Sequence, residues 1–288
     1  PDLVLCVDGL FLPAARLLGR LWKRPHGYMM LEIYPDQEAN VNARKRRLMA
    51  MVERFGLRSA AGALVQDTAW GRLLRIRYHM PELSYHVITT CPSLPPRQAD
   101  PEPGMPLRLY YHGLYQQHRG LEDLILAMKE TKGATLSLRG FGTAEQELRD
   151  LVRDHSLEGR VFFLPPVKRE DLAAVAADFD VGVTPGSGEI GNGRFAVGFK
   201  TYEYMAAGLA LLAPPSRALV PMLRRTGTGF IYLFGGPSQV AAAINRITPD
   251  PSLVAACKAS SRRWSRELYN DQVQQDRLRS AVALMAGS

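Results

Sequence analysis

Asp180–Pro215, D-V-G-V-T-P-G-S-G-E-I-G-N-G-R-F-A-V-G-F-K-T-Y-E-Y-M-A-A-G-L-A-L-L-A-P-P, is the stretch that decides the fold. Phe179, Val181 and Val183 form a short apolar run that stops at Pro185, the pattern of a buried strand. Gly186, Gly188, Gly191, Gly193 and Gly198 then make a segment too flexible for a helix or a regular strand. Lys200 to Ala207 reads as a short helix, and Gly208 can take the left-handed conformation that ends one. Leu209 to Ala213 is a second buried strand. The order is therefore strand, glycine-rich loop, helix, strand.

Such a unit has a chemical use. The N-terminus of a helix presents unpaired N–H groups and a partial positive charge, which suits it to phosphate. Glycines just ahead of it let a ligand approach the backbone. Lys200 adds a formal charge at that end, and Glu203 lies one turn along. A cation with N–H groups can hold a diphosphate, and a carboxylate can accept hydrogen bonds from sugar hydroxyls. The same residues are equally compatible with a solvated lysine and a glutamate that complements the helix dipole.

Outward from this stretch the pattern repeats. Upstream, strands at Leu107–His112, Thr135–Leu138 and Arg160–Leu164 alternate with helices at Leu121–Lys129, Thr143–Asp154 and Glu170–Ala177. Six prolines (92, 95, 96, 101, 103 and 106) crowd the segment before them, which reads as a linker over residues 92–106. Residues 1–91 form a second alternating series. Its strands are Asp2–Cys6, Tyr28–Ile33, Ala63–Gln66 and His86–Thr89. Its helices are Leu12–Leu21, Val41–Phe55 (apolar stripe Val41, Leu48, Val52, Phe55) and one capped by Asp67 that carries Trp70, Leu73 and Leu74. Strands alternating with helices imply parallel sheets covered on both faces. The fold class is α/β, with two Rossmann-like, doubly wound domains at 1–91 and 107–268 and a C-terminal helix in 269–288.

Composition narrows the function only by exclusion. With 46% hydrophobic and 22% charged residues the chain is ordinary globular protein, and no run approaches the ~18 apolar residues of a membrane span. No basic region precedes an apolar one at the start, so a signal peptide is not evident. Cys6, Cys91 and Cys257 are scattered, and the six histidines form no ligand pair, so the sequence offers no metal site and suggests a reduced, cytoplasmic setting. A net charge of +8 fits an anionic partner such as a phosphorylated substrate or anionic lipid. Neither zinc-finger spacing nor an aromatic-studded RNA motif is present, which argues against nucleic acid.

K-T-Y-E-Y-M-A-A-G-L-A resembles the signature of the retaining glycosyltransferases of family four, which have the GT-B fold. In that family the second glutamate of a Glu-x7-Glu motif contacts the ribose of a nucleotide-sugar. Glu203 matches this glutamate and Gly198 the glycine within the motif, whereas Phe195 stands where the first glutamate would be. A subgroup carries a lysine at the position of Lys200. Y-H-G-L-Y-Q-Q-H-R-G-L-E is similar to the family's diphosphate loop. Leu114 replaces its arginine there, and Arg119 takes the place of its lysine with a planar fork instead of a point charge. R-G-F-G-T-A-E matches its G-x-G turn, and F-L-P-P-V the loop that lies along the nucleobase.

The resemblance implies a donor site in the cleft between two domains. Lys200, Arg119 and Glu203 would be the catalytic set. Gly113, Gly140, Phe141, Gly142, Val167, Glu189, Asn192, Arg194, Gly198, Phe199 and Thr201 would line the donor. The co-substrate would be a nucleoside-diphosphate-sugar, with neither metal nor other cofactor, and the acceptor a glycan, a lipid-linked glycan or a small molecule. Phe195 and Leu114, standing in place of the family's glutamate and arginine, leave open a non-catalytic GT-B protein that binds nucleotide-sugar or a partner without turnover.

Residues 1–91 resemble the second half of the family's N-terminal domain, which implies a domain lacking its first half. Glu32 and Tyr34, after the second strand, are the acceptor-side candidates, although Glu32 also fits a strand-end carboxylate facing water. Arg44, Arg47, Arg54 and Arg58 form a basic stripe, either a solvated face or a peripheral contact with the anionic inner face of a membrane. The family's C-terminal tail crosses back to the N-terminal domain, and Trp264 in R-R-W-S-R-E-L reads as a packing anchor.

Overall fold

The computed structural model describes residues 2–31, 43–96, 98–99, 102–117, 119–186 and 197–287. The chain divides into two compact units, one built on residues 2–90 with 272–287, the other on residues 91–186 with 197–271.

The first unit holds four parallel strands in chain order, β1 (Val4–Cys6), β2 (His26–Met29), β3 (Ala63–Val65) and β4 (Tyr85–Val87). Helices α1 (Leu12–Trp22), α2 (Ala43–Leu57) and α3 (Thr68–Tyr78) connect them. The Asp67 carboxylate caps α3 by accepting from the Trp70 N–H at 3.1 Å, as its position before an apolar helix predicts. Leu12, Tyr28, Leu57, Val65, Trp70 and Leu74 fill one side of the sheet. Helix α11 (Asp271–Ala286) brings Ala281 and Met285 against Leu64, and Gln274 Oε1 accepts from the buried Thr89 N–H at 2.9 Å.

Helix α2 is rotated from its apolar pattern. Leu48 and Phe55 are exposed and Val52 is half-buried, while Met49, Glu53, Gly56 and Leu57 face inward; Val41 lies outside the described residues. The cause is Glu53, a carboxylate that takes a core position because the hydroxyls of Tyr28 and Tyr78 donate to it. Burial, only partly offset by those hydroxyls, pushes its carboxyl above the usual range. Arg44, Arg47 and Arg54 are exposed on the outer side of the helix, and Arg58 is exposed just past its end.

The second unit is a six-stranded parallel sheet in the order β10-β9-β8-β5-β6-β7. Its strands are β5 (Leu107–Leu114), β6 (Ala134–Phe141), β7 (Val161–Leu164), β8 (Val181–Val183), β9 (Ala210–Ala213) and β10 (Gly229–Ile231). Helices α4 (Leu121–Glu130), α5 (Glu145–Asp154), α6 (Leu172–Ala176), α7 (Phe199–Ala207), α8 (Leu219–Thr226), α9 (Pro237–Ile247) and α10 (Pro251–Glu267) cover it. The strands β8 and β9 and the helix α7 between them are those the quoted stretch predicts, and Gly208 ends α7 with φ +82°. Elements α8, β10 and α9 extend the sheet past the expected series.

Strand order reverses between β5 and β8, so the chain leaves these neighbours in opposite directions and opens a crevice at their carboxyl ends. At the opposite end of the same strands lies a closed polar cluster. Asp180, fully buried, accepts from the N–H groups of Gly104 and Arg108 at 3.1 and 3.0 Å, from Arg108 Nε and Nη2 at 2.9 Å each, and from Lys258 Nζ at 2.7 Å. That cluster ties the residues before β5, the start of β8 and helix α10 together.

Candidate active site

At the switch point β5 ends in Tyr111-His112-Gly113-Leu114, and α7 begins beside it with Gly198 as its N-cap. The two elements are pinned by Tyr204, whose hydroxyl accepts from the His112 N–H at 3.1 Å and donates to the Val183 carbonyl at 3.3 Å. One residue earlier on α7 is Glu203. Glu203 is 6% exposed, and its Oε2 lies 2.7 Å from Nε2 of His112, itself 3% exposed. Sequence reasoning identified Glu203 and missed His112. The available signal was a histidine directly before a glycine near the end of a strand.

Lys200 sits in the first turn of α7 with no carboxylate partner among the described residues. Its ammonium instead lies 4.1 Å from the centre of the Tyr111 ring, a cation–π contact. Burial, reinforced by the positive charge of Arg119 and opposed by Glu203, brings its pKa down to about 8. A side chain at Gly113 would come within 2.9 Å of that ammonium, so the glycine leaves Lys200 approachable over the end of β5. Arg119, just before α4, is exposed and donates from Nε and Nη2 to Gln116 Oε1 at 3.2 and 2.9 Å, with no acidic partner among the described residues. Two cations and one carboxylate thus gather at one helix N-terminus, and among the described residues neither cation is held in an ion pair.

The remaining candidates spread along neighbouring strand ends. Leu114 and Phe141 face one another in register at the ends of β5 and β6, with Leu114 47% and Phe141 59% exposed. Val167 is half-buried in the loop after β7, which Arg139 Nη1 ties to β6 by donating to the Pro165 carbonyl at 2.6 Å. The glycines divide by cause. At Gly140 and Gly142 a Cβ would lie 1.9 Å from the Gly113 carbonyl and 2.1 Å from the Tyr115 carbonyl, so the protein's own backbone fills that space. At Gly198 a Cβ would meet nothing within 4 Å among the described residues, and its backbone is ordinary extended chain. Thr201 is buried, and Phe199 carries the Arg169 guanidinium 4.9 Å above its ring. Glu32, Tyr34, Glu189, Asn192 and Arg194 lie outside the described residues. Among the described residues no group of three His, Cys, Asp or Glu side chains could hold a metal ion.

Comparison with known structures places the fold. Sucrose-phosphate synthase from Thermosynechococcus elongatus matches with a TM-score of 0.74 at 22% identity, over 100% of this chain and 74% of that one. HepE of Anabaena in complex with UDP matches with a TM-score of 0.76 at 16% identity, over 98% of this chain and 78% of that one. A mutant of S. aureus TarM in complex with fondaparinux, alpha-GlcNAc-glycerol and UDP gives 0.67 at 13% identity, over 99% and 56%. At these identities the likeness is one of fold, and the fold is GT-B. No curated protein sequence matches. The family model described as "Glycosyl transferases group 1" matches residues 106–250, half of the chain and every strand of the sheet that carries this site, so the chain belongs to the group 1 glycosyl transferases.

Proposed function

We propose that the chain is a retaining, metal-independent glycosyltransferase of the family-four type that moves a sugar from a nucleoside-diphosphate-sugar to a glycan, lipid-linked or small-molecule acceptor. The observation that carries this reading is the pair of cations Lys200 and Arg119 at the N-terminus of α7, neither in an ion pair among the described residues, with Glu203 one turn along. The diphosphate lies against the two cations and the N–H groups of α7. The ribose lies against Glu203, and Leu114, Phe141 and Val167 line the nucleoside side. As the bond between the anomeric carbon and the diphosphate oxygen breaks, negative charge grows on that oxygen, and Lys200 and Arg119 stabilise it. The acceptor hydroxyl adds to the anomeric carbon from the face the diphosphate leaves, and its proton passes to the departing phosphate. The HepE structures, described as complexes with UDP, with UDP and glucose, and with UDP-glucose, support a uridine donor as the first to try.

The test is direct. Incubation with UDP-sugars should release UDP slowly without acceptor and yield an α-linked product from an α-linked donor, read by proton NMR. A β-linked product removes the retaining mechanism. Nucleotide-sugar binding with no release of UDP under any acceptor favours the non-turnover reading, to which Leu114, in place of the family's arginine, lends support.

A cytoplasmic enzyme resting on the inner face of a membrane fits the free cysteines and the exposed Arg44, Arg47, Arg54 and Arg58 beside exposed Leu48, Met51 and Phe55. Each basic residue near an anionic surface contributes about 1 kcal/mol. Vesicles rich in phosphatidylglycerol should cosediment the protein at low salt and release it as salt rises. Cosedimentation that ignores both lipid charge and salt leaves the stripe a solvated face.

A further inference from the structure

His112 is buried, close to the catalytic set and unused by the mechanism above. Its backbone is fixed in β5, where its N–H donates to the Tyr204 hydroxyl, and its ring meets the Tyr204 ring edge-on at 4.8 Å. A carboxylate can only accept, so the 2.7 Å contact to Glu203 Oε2 requires the imidazole to carry its proton on Nε2. Nδ1 is then left buried with no hydrogen-bond partner among the described residues. A buried polar atom without a partner is a cost that folds generally avoid. Phenylalanine or leucine would fill the same space without that cost, so the imidazole is explained by what Nε2 does.

What Nε2 does is commit one oxygen of Glu203. The other, Oε1, accepts no hydrogen bond from a described residue. We propose that His112 is a positioning residue that fixes the Glu203 carboxylate so that Oε1 is presented to the ribose diol of the nucleotide. His112 thereby sets the preference for ribonucleotides over deoxyribonucleotides. The inference rests on the reading that Glu203 receives the ribose, and it adds a part that the motif containing Glu203 does not supply.

The experiment uses the full 288-residue chain and calorimetric titration with UDP and 2′-deoxy-UDP, with the ADP and GDP pairs run alongside. The wild-type protein should bind the tighter ribonucleotide roughly tenfold better than its 2′-deoxy form, the loss expected for one hydrogen bond to a charged group. His112→Phe should weaken the ribonucleotide by a similar factor and leave the deoxynucleotide within about twofold, so that the ratio collapses towards one. His112→Gln, whose amide can donate to Glu203 from nearly the same place, should restore the ratio. If His112→Phe does not fold, His112→Asn, too short to reach Glu203, is read in its place. A merely structural histidine would lower the unfolding temperature and leave the ratio intact, and that outcome overturns the proposal. Loss of both nucleotides by the same factor also overturns it. A wild-type chain that binds both forms equally, or neither, refutes instead the ribose reading of Glu203, a failure recognisable before any variant is made.

Discussion

Strand β5 carries a charged cluster at each end, and the two clusters are opposites. At its start Asp180 receives five hydrogen bonds from Gly104, Arg108 and Lys258, and every charge in the group has a partner. At its end, among the described residues, Lys200 contacts an aromatic ring, Arg119 donates to one amide oxygen, and Glu203 has a single donor. Burial alone does not distinguish them, because Asp180, Lys258, Glu203 and His112 are all buried. Saturation does. A polar group whose valences are filled by its own chain holds the fold, and one left partly open waits for a ligand.

The contrast is broken most severely at the closed end. Replacing Asp180 with Ala removes the carboxylate to which the fully buried Lys258 ammonium donates, which should cost roughly 3–5 kcal/mol of stability. The measure is urea denaturation followed by circular dichroism; a shift of less than about 1 kcal/mol, far below that cost, would equate the two clusters. Burial raises the Asp180 carboxyl, but the hydrogen bonds from Arg108 and Lys258 outweigh it and hold the group below the usual carboxylate range. Its contribution is therefore complete above the ordinary aspartate range and disappears as pH falls through the depressed value.

At the open end the balance of stability and activity should reverse. Lys200→Ala should reduce kcat by about 100- to 1000-fold, some 3 to 4 kcal/mol, with little change in the unfolding midpoint. Glu203→Ala should act on nucleotide affinity instead, since the ribose changes little along the reaction. A kcat within about twofold of wild type for Lys200→Ala, against that expected loss, makes the lysine a surface charge.

A smaller effect follows from pH. Lys200 loses its proton near pH 8, so diphosphate affinity should decline above that point by at most about tenfold per unit, and Lys200→Arg should abolish the decline. The sign for folding is opposite. A lysine lowered from 10.5 binds fewer protons folded than unfolded, so between about 8 and 10.5 this group favours the folded, unliganded protein as pH rises. Titration calorimetry at pH 7 and pH 9, paired with thermal unfolding at both, separates the two trends.

The smallest change concerns Arg119, which is exposed and, among the described residues, hydrogen-bonded to Gln116. Arg119→Gln should leave stability within about 0.5 kcal/mol and weaken nucleotide-diphosphate binding several-fold. A stability loss above about 1 kcal/mol, outside that range, would place Arg119 with the structural charges.

The unequal completeness of these clusters was only half legible. Apolar periodicity and glycine punctuation located β8, α7 and β9 to within about two residues, because each obeys a local rule. Lys200 and Glu203 were visible because both belong to one helix. His112 was not, because its partner is 91 positions away and no local pattern links a strand to a helix that far along. Lys258 escaped for the same reason, being a lysine in a helix whose acid lies 78 positions back. Helix α2 misled for a different one. Its apolar residues do make a stripe, but Glu53 between Tyr28 and Tyr78 turns another face inward. Non-local polar satisfaction is the term that a sequence pattern lacks.

Helix α11 brings the order of synthesis into conflict with the order of assembly. Residues 272–287 belong to the first unit, where Met285 lies against the sheet and Gln274 caps the Thr89 N–H, yet they leave the ribosome after the whole of the second unit. Domains ordinarily fold as they emerge, first made first folded. Here residues 2–90 emerge early with one side of their sheet unfinished, and Leu64, Met29 and Ile88 lack their cover until some 180 further residues have been translated. During that interval the nascent chain exposes an apolar sheet face, the kind of surface at which aggregation competes with folding.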